Sequence, residues 1–213
     1  MTTPNSTPEH WDAAYASTPV DRTGWWEETP VVSLQLIEQC HLDPDDLILD
    51  AGTGASTLLE HLIQRGFRRL IAADISRIAL DSLANRLGPD APVRFIVADL
   101  SKPAPGLPAG EVALWHDRAL LHFLVTPGDR AGYVANLRTA VRPGGHVVLA
   151  TFAPDGAEYC SGLPVQRYDA ESLAALLGDE FVLEESLHHV YRQPSGGLRP
   201  FTYARFRRET GGV

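Results

Sequence analysis

The chain has 213 residues, 44% of them hydrophobic, enough for one well-cored α/β domain and short for two. Its net charge of −9 argues against nucleic acid as a partner, because phosphate binding is carried by clustered Lys and Arg. Two cysteines, Cys40 and Cys160, form neither a disulfide framework nor a CxxC metal pattern, and no apolar run is long enough to span a membrane, so a cytoplasmic setting is expected.

In chain order, residues 1–10 read as a polar, flexible lead-in, and 11–213 as a single domain whose first part, 11–45, is an aromatic cap and a helix. Three of the four tryptophans lie early, at Trp11, Trp25 and Trp26. Trp11 and Tyr15 are one helical turn apart, so a short helix there presents both rings on one face. These rings either clasp the N-terminus to the core or form a lid over a ligand. Thr29-Pro30 opens a helix with apolar positions at Val31, Leu34 and Ile37.

Leu47 to Ala51 is a buried strand running into Gly52-Thr53-Gly54-Ala55-Ser56 and then a helix to about Arg65. Glycines can take positive φ and bring bare backbone close to a ligand, here at the carboxyl end of a strand. Arg69 to Ile75 is a second strand ending in Asp74. Ser76 caps the next helix, which stops at Gly88-Pro89. Val93 to Asp99 is a third strand, and Val112 to Asp117 a fourth. A helix over 129–141 leads to the turn Arg142-Pro143-Gly144-Gly145 and a fifth strand from His146 to Phe152. Residues 153–167 read as a long loop at the ligand-binding edge. A helix over 170–177 precedes two strands, near 181–191 and 201–208. Their linker is too short for a parallel crossover, so they form an antiparallel hairpin.

Acids ending successive parallel strands carry the functional argument. Asp74 lies 20 residues after Gly54, where a carboxylate accepts hydrogen bonds from ribose hydroxyls. Asp99 suits an adenine amino group. A dinucleotide loop carries a third glycine, but here that place is Thr57, and Asp50 would repel a pyrophosphate. A ligand with an amino-acid group at the loop tolerates Asp50, and S-adenosylmethionine (SAM) meets that description.

With these residues in place the chain resembles the class I SAM-dependent methyltransferases from about Trp11 to Arg208. Leu49-Asp50-Ala51-Gly52-Thr53-Gly54 looks like the family's first motif, Asp74 its ribose-binding acid, and Asp99-Leu100 its adenine-side motif. Trp115-His116-Asp117 stands where the fourth motif lies beside the sulfonium, and Arg142 to His146 looks like the turn into the fifth strand. The resemblance implies a doubly wound, mostly parallel seven-stranded sheet with a C-terminal antiparallel hairpin and helices on both faces. It implies SAM as cofactor, with S-adenosylhomocysteine (SAH) as product. The implied cofactor contacts are Asp50, Gly52, Thr53, Gly54, Ser56, Asp74, Ile75, Asp99, Leu100, His116 and Trp25.

His116 is the candidate to steer the acceptor or take its proton. Tyr15, Trp26, Cys160 and Arg167 are the candidate acceptor-binding residues. No metal site is expected: a His116/His122 pair lacks a third ligand, and His188 and His189 are adjacent on a strand, facing opposite ways. The N-terminal aromatics and the Ala55-Ser56 variant are similar to the branch containing elongation-factor-type lysine methyltransferases. That branch follows its fourth-motif acid with a lysine, whereas this chain has His116-Asp117-Arg118. The architecture also resembles thiol- and other small-molecule methyltransferases. Methyl transfer to a nitrogen, sulfur or oxygen of a small molecule is the first reading, and methylation of a protein lysine the second. An NAD(P)-dependent oxidoreductase and a non-catalytic SAM- or nucleotide-binding module are remoter ones.

Overall fold

The computed structural model describes residues 6–211. Seven strands form one sheet: β1 (Leu47–Ala51), β2 (Leu70–Asp74), β3 (Val93–Val97), β4 (Val112–Arg118), β5 (Val141–Phe152), β8 (Phe181–Arg192) and β9 (Leu198–Arg208). Their order is β3-β2-β1-β4-β5-β9-β8, with the first five parallel and β9 antiparallel to both β5 and β8. This is the sheet expected from the sequence, hairpin included. The chain order reverses at β1, which pairs with β2 on one side and β4 on the other, so a crevice opens there at the carboxyl ends of the strands.

Strand alternation sorts the core into two layers. Leu47, Leu49, Ala51 and Trp115 face α5 (Pro127–Ala140) and α6 (Ala170–Leu177). Ile48 and Leu114 face α2 (Val31–Glu38), α3 (Leu58–Gln64) and α4 (Arg77–Leu87). β1 and β2 are buried along their whole length, as two helix-covered faces require.

Several boundaries differ from the expectation. Residues 1–5 of the expected lead-in lie outside the described residues, but Pro8 to His10 already belong to α1 (Pro8–Ser17). Thr7 starts that helix by accepting the His10 N–H, with Pro8 in the first turn. α5 begins at Pro127 rather than Asp129, because Thr126 caps it. The turn before β5 is absorbed into the strand: β4 pairs Val112 with Val141 and then Leu114 with His146, leaving residues 142–145 as a bulge. Within the expected loop over 153–167, β6 (Tyr159–Cys160) and β7 (Leu163–Pro164) form a small antiparallel hairpin.

Candidate active site

A cavity of about 280 Å³ opens at the carboxyl ends of β1 to β4. One end is walled by Gly52, Asp74, Ile75, Ala98, Asp99 and Leu100. The other is walled by Trp11, Tyr15 and Trp25 from the N-terminal segment, by Arg118 and Phe123, and by Cys160 and Leu163 of the β6–β7 hairpin. A smaller cavity beside it, between the glycine loop and residues 23–30, is lined by Asp50, Thr53, Ser56, Thr57, Trp26 and His116 among others.

The glycine loop is built from its acids. Gly52 and Gly54 have φ of 65° and 53°, a region that side chains beyond glycine rarely adopt. Gly54 N–H donates to Asp74 Oδ2 at 2.8 Å, tying the loop to the end of β2. Ser76 N–H donates to Asp74 Oδ1, also at 2.8 Å. Burial, and then the neighbouring Asp50 charge, push the Asp74 carboxyl up to about 6 against the pull of those two N–H groups. A carboxylate oxygen can accept two hydrogen bonds and each of these takes one backbone N–H, so both retain acceptor capacity. Asp99 is held by Ser101, whose N–H and hydroxyl both reach its Oδ1, at 2.9 and 2.6 Å.

The two glycines are each covered by a protein side chain. A Cβ on Gly52 would lie 2.5 Å from Cβ of Leu120, and one on Gly54 would lie 2.1 Å from the Tyr15 hydroxyl. Leu120 reaches Gly52 because Ala119 turns the chain at φ 76° after β4, and Asp117 collects the Leu120 and Leu121 N–H groups of the following turn. Asp117 also accepts from the Tyr133 hydroxyl at 2.6 Å. It is a buried structural acid, pushed up to about 6 chiefly by desolvation.

His116 does not face the main cavity. Strand parity puts Asp50 and His116, which are register neighbours, on the α2 side of the sheet. His116 Nδ1 donates to Asp50 Oδ1 at 2.7 Å, and Nε2 lies 2.9 Å from Ser33 Oγ of α2. Thr53 Oγ1 donates to the other Asp50 oxygen at 2.5 Å. Both ring nitrogens therefore have partners inside the protein, which leaves neither free for an acceptor in this arrangement.

The acceptor candidates divide. Tyr15 and Cys160 line the main cavity, together with Trp25, which was expected as a cofactor contact. Trp26 lies on the smaller one, its carbonyl taken by the Tyr191 hydroxyl. Arg167 lines neither; it bonds the Gly156 carbonyl and Glu158, each at 3.2 Å, as a partly exposed surface pair. Arg118 was not singled out as a site residue from the sequence. It pairs with Glu27 at 2.9 Å, donates to the Trp25 carbonyl, and stacks on Tyr191 and Phe201. Its position after His116-Asp117 on β4, one parity step from His116, was the available signal. Burial and the nearby Arg118 charge push His122 down to about 3, so it stays neutral. Among the described residues no His, Cys, Asp and Glu cluster is arranged to hold a metal ion.

The cavity's chemistry fits SAM. Asp74, buried, ends β2, and Asp99, partly exposed, lies two residues beyond β3, with Ile75, Leu100 and Leu120 lining the cavity beside them.

Comparison with known proteins agrees. Residues 48–145 match the family model described as a methyltransferase domain. No curated protein matches the chain in sequence. A SAM-dependent methyltransferase from Anabaena variabilis superposes with a TM-score of 0.72 at 16% identity, covering 98% of each chain. The Burkholderia thailandensis 1,6-didemethyltoxoflavin-N1-methyltransferase, solved with that compound and SAH, gives 0.66 at 20% identity, covering 98% of this chain and 93% of its own. A structure concerned with converting a disulfide bond into a thioacetal group during echinomycin biosynthesis gives 0.76 at 19% identity, covering 97% of this chain and 93% of its own.

Proposed function

We propose that the chain is a class I SAM-dependent methyltransferase that methylates a heteroatom of a small, largely aromatic acceptor carrying no positive charge, a reading supported by the match of residues 48–145 to a methyltransferase-domain model. The observation behind this reading is the wall of the main cavity opposite Asp74 and Asp99. Trp11, Tyr15, Trp25 and Phe123 offer ring faces and edges, and the cation at that end is Arg118. Aromatic walls favour a flat apolar guest. Arg118 is paired with Glu27, so this end offers an ammonium no free carboxylate, which disfavours the lysine side chain of a protein.

When bound, the cofactor supplies a methyl group already activated on a sulfonium, so the protein's contribution is position and electrostatics. In this reading Asp74 accepts from the ribose hydroxyls and Asp99 from the adenine amino group, with Ile75, Leu100 and Leu120 against the base. The glycine loop holds the amino-acid end. Asp50, braced by His116 and Thr53, keeps that loop in shape. Trp25 and Tyr15 press the acceptor toward the reacting centre, and holding two reactants in near-attack geometry contributes on the order of 7–11 kcal/mol.

The aromatic half contains two ionisable side chains that could take a proton, Tyr15 and Cys160. Burial pushes both upward, so neither is an anion near neutral pH. That favours an acceptor that sheds its own proton to solvent, a thiol, aromatic amine or phenol, over an aliphatic alcohol. The test is turnover of methyl-tritiated SAM on thiophenol, aniline and phenol panels, each in neutral, carboxylated and ammonium-bearing forms. Transfer to neutral or carboxylated members supports the reading. Transfer confined to ammonium-bearing members, or to lysines of added protein, overturns it.

A further inference from the structure

We propose that Asp12 is the latch of a lid: α1 swings about residues 18–23 to admit and release cofactor, and Asp12 sets the rate. The inference rests on the cavity being the SAM site.

Two parts of the N-terminal segment are attached in different ways. Residues 24–27 are bolted down by four consecutive backbone carbonyls. Gly24 accepts from Gln193 Nε2 at 2.8 Å, Trp25 from Arg118 Nη1 at 2.9 Å, Trp26 from the Tyr191 hydroxyl at 2.5 Å, and Glu27 from Thr57 Oγ1 at 2.9 Å. The donors come from β4, β8, the residue after β8 and the residue before α3, so this rail moves only if the body of the domain moves.

α1 has no such anchorage. Among the described residues no backbone–backbone hydrogen bond joins it to another element, and Trp11 is its one buried residue. Its rings make edge contacts, Trp11 with Phe123 at 4.9 Å and Trp25 at 5.9 Å, and Tyr15 with Trp25 at 5.8 Å. Its polar ties to the body are the Tyr15 hydroxyl, beside the Ala55 backbone and the Trp25 ring, and the charged one, Asp12. Oδ1 accepts from Ser76 Oγ at 2.6 Å and from Ile78 N–H at 3.3 Å, at the N-terminus of α4, where the helix dipole favours a carboxylate.

The latch is one residue's reach from the cofactor-facing acid. Ser76 donates its N–H to Asp74 and its hydroxyl to Asp12, while that hydroxyl also caps α4 by accepting from Ala79 N–H at 3.1 Å. With the latch closed, Trp11 and Tyr15 wall the cavity and the Tyr15 hydroxyl lies over Gly54. A ligand enters and leaves past Trp11 and Tyr15 and lies beneath them once the latch has closed again, so opening precedes both entry and exit. Residues between α1 and the rail hold a short 3-10 turn, Val20–Arg22, and Thr23, whose hydroxyl donates to Val20. That compact turn gives α1 a pivot next to a fixed rail.

The experiment is stopped-flow tryptophan fluorescence of SAH binding to the full chain and to Asp12→Asn, with Kd measured separately by calorimetry. A gate makes the association and dissociation rates rise together, about tenfold, while Kd stays within about threefold. Unchanged rates overturn the proposal. A faster dissociation with an equally weakened Kd also overturns it, since Asp12 would then hold the bound state and not the gate. If wild-type protein fails to bind SAH, the cofactor reading itself has failed, a distinct result. Should Asp12→Asn not fold, hydrogen exchange of the wild-type protein decides. Faster exchange in 8–17 than in 24–27, with SAH protecting 8–17, supports the latch, and equal protection of both segments overturns it.

Discussion

Asp74→Asn removes one charge without changing shape, and its effect on cofactor affinity can be worked through. In the wild-type protein the carboxylate takes the Gly54 and Ser76 N–H groups and keeps lone pairs for a ligand. Charge-assisted hydrogen bonds contribute about 1.5–3 kcal/mol each, so losing the charged acceptor of one ribose hydroxyl weakens SAH binding about 10- to 150-fold. Calorimetry at pH 8 measures this, with thermal melts confirming that the variant is folded. The same residue makes affinity pH-dependent. Its pKa in the free protein is raised to about 6, chiefly by burial, so above about pH 7 it is ionised and SAH affinity is flat. As pH falls below 6 the proton competes with the ribose, and affinity drops by about tenfold per pH unit. The stability sign is opposite. Because the folded pKa lies above the ordinary carboxylate value, Asp74 destabilises the free protein above pH 6, and that penalty fades as pH falls toward 3.8. Asp74→Asn should abolish the pH dependence of binding. Equal SAH affinity in variant and wild type at pH 8, or a pH profile that survives the substitution, refutes the assignment of Asp74 to the ribose.

Two further substitutions probe the loop and its scaffold. Gly54→Ala places a Cβ 2.1 Å from the Tyr15 hydroxyl on a backbone with φ of 53°, so it should push α1 outward and weaken SAH binding. Tryptophan emission and calorimetry report this, and an unaltered spectrum with unaltered affinity contradicts the packing of Tyr15 on Gly54. His116→Phe strands the buried Asp50 carboxylate without its ring partner and should cost on the order of 3 kcal/mol by urea denaturation. Turnover per folded molecule should fall less than tenfold, and full stability with lost turnover would return His116 to the reacting centre.

The fold was legible in the sequence wherever the signal is local. Apolar runs and helix caps located the strands and helices, Asp74 and Asp99 marked the cavity's carboxylates, and the family resemblance implied the seven-stranded sheet. The short linker between β8 and β9 forced the antiparallel hairpin. What stayed hidden depends on register and on contacts far apart in the chain. Asp50 and His116 face each other because β1 and β4 pair in one particular register, and nothing local to His116 announces that both of its nitrogens are engaged. Tyr15 on Gly54 and Asp12 on Ser76 join residues 39 and 64 positions apart. The glycines were read as room for a ligand, and the structure adds that each is covered by a named side chain. The β6–β7 hairpin escaped notice because its strands are two residues long and Pro164 ends one of them.

A thermal-shift series with SAM, SAH, NAD and NADP, each at about 100 times a micromolar Kd, bears on the whole account. A ligand bound only to the folded chain at that ratio adds about 2.7 kcal/mol, which raises Tm by about 5–10 °C for a chain of this size. The structure predicts that rise with SAM and SAH and none with NAD or NADP. A rise with the dinucleotides and none with SAH would contradict it.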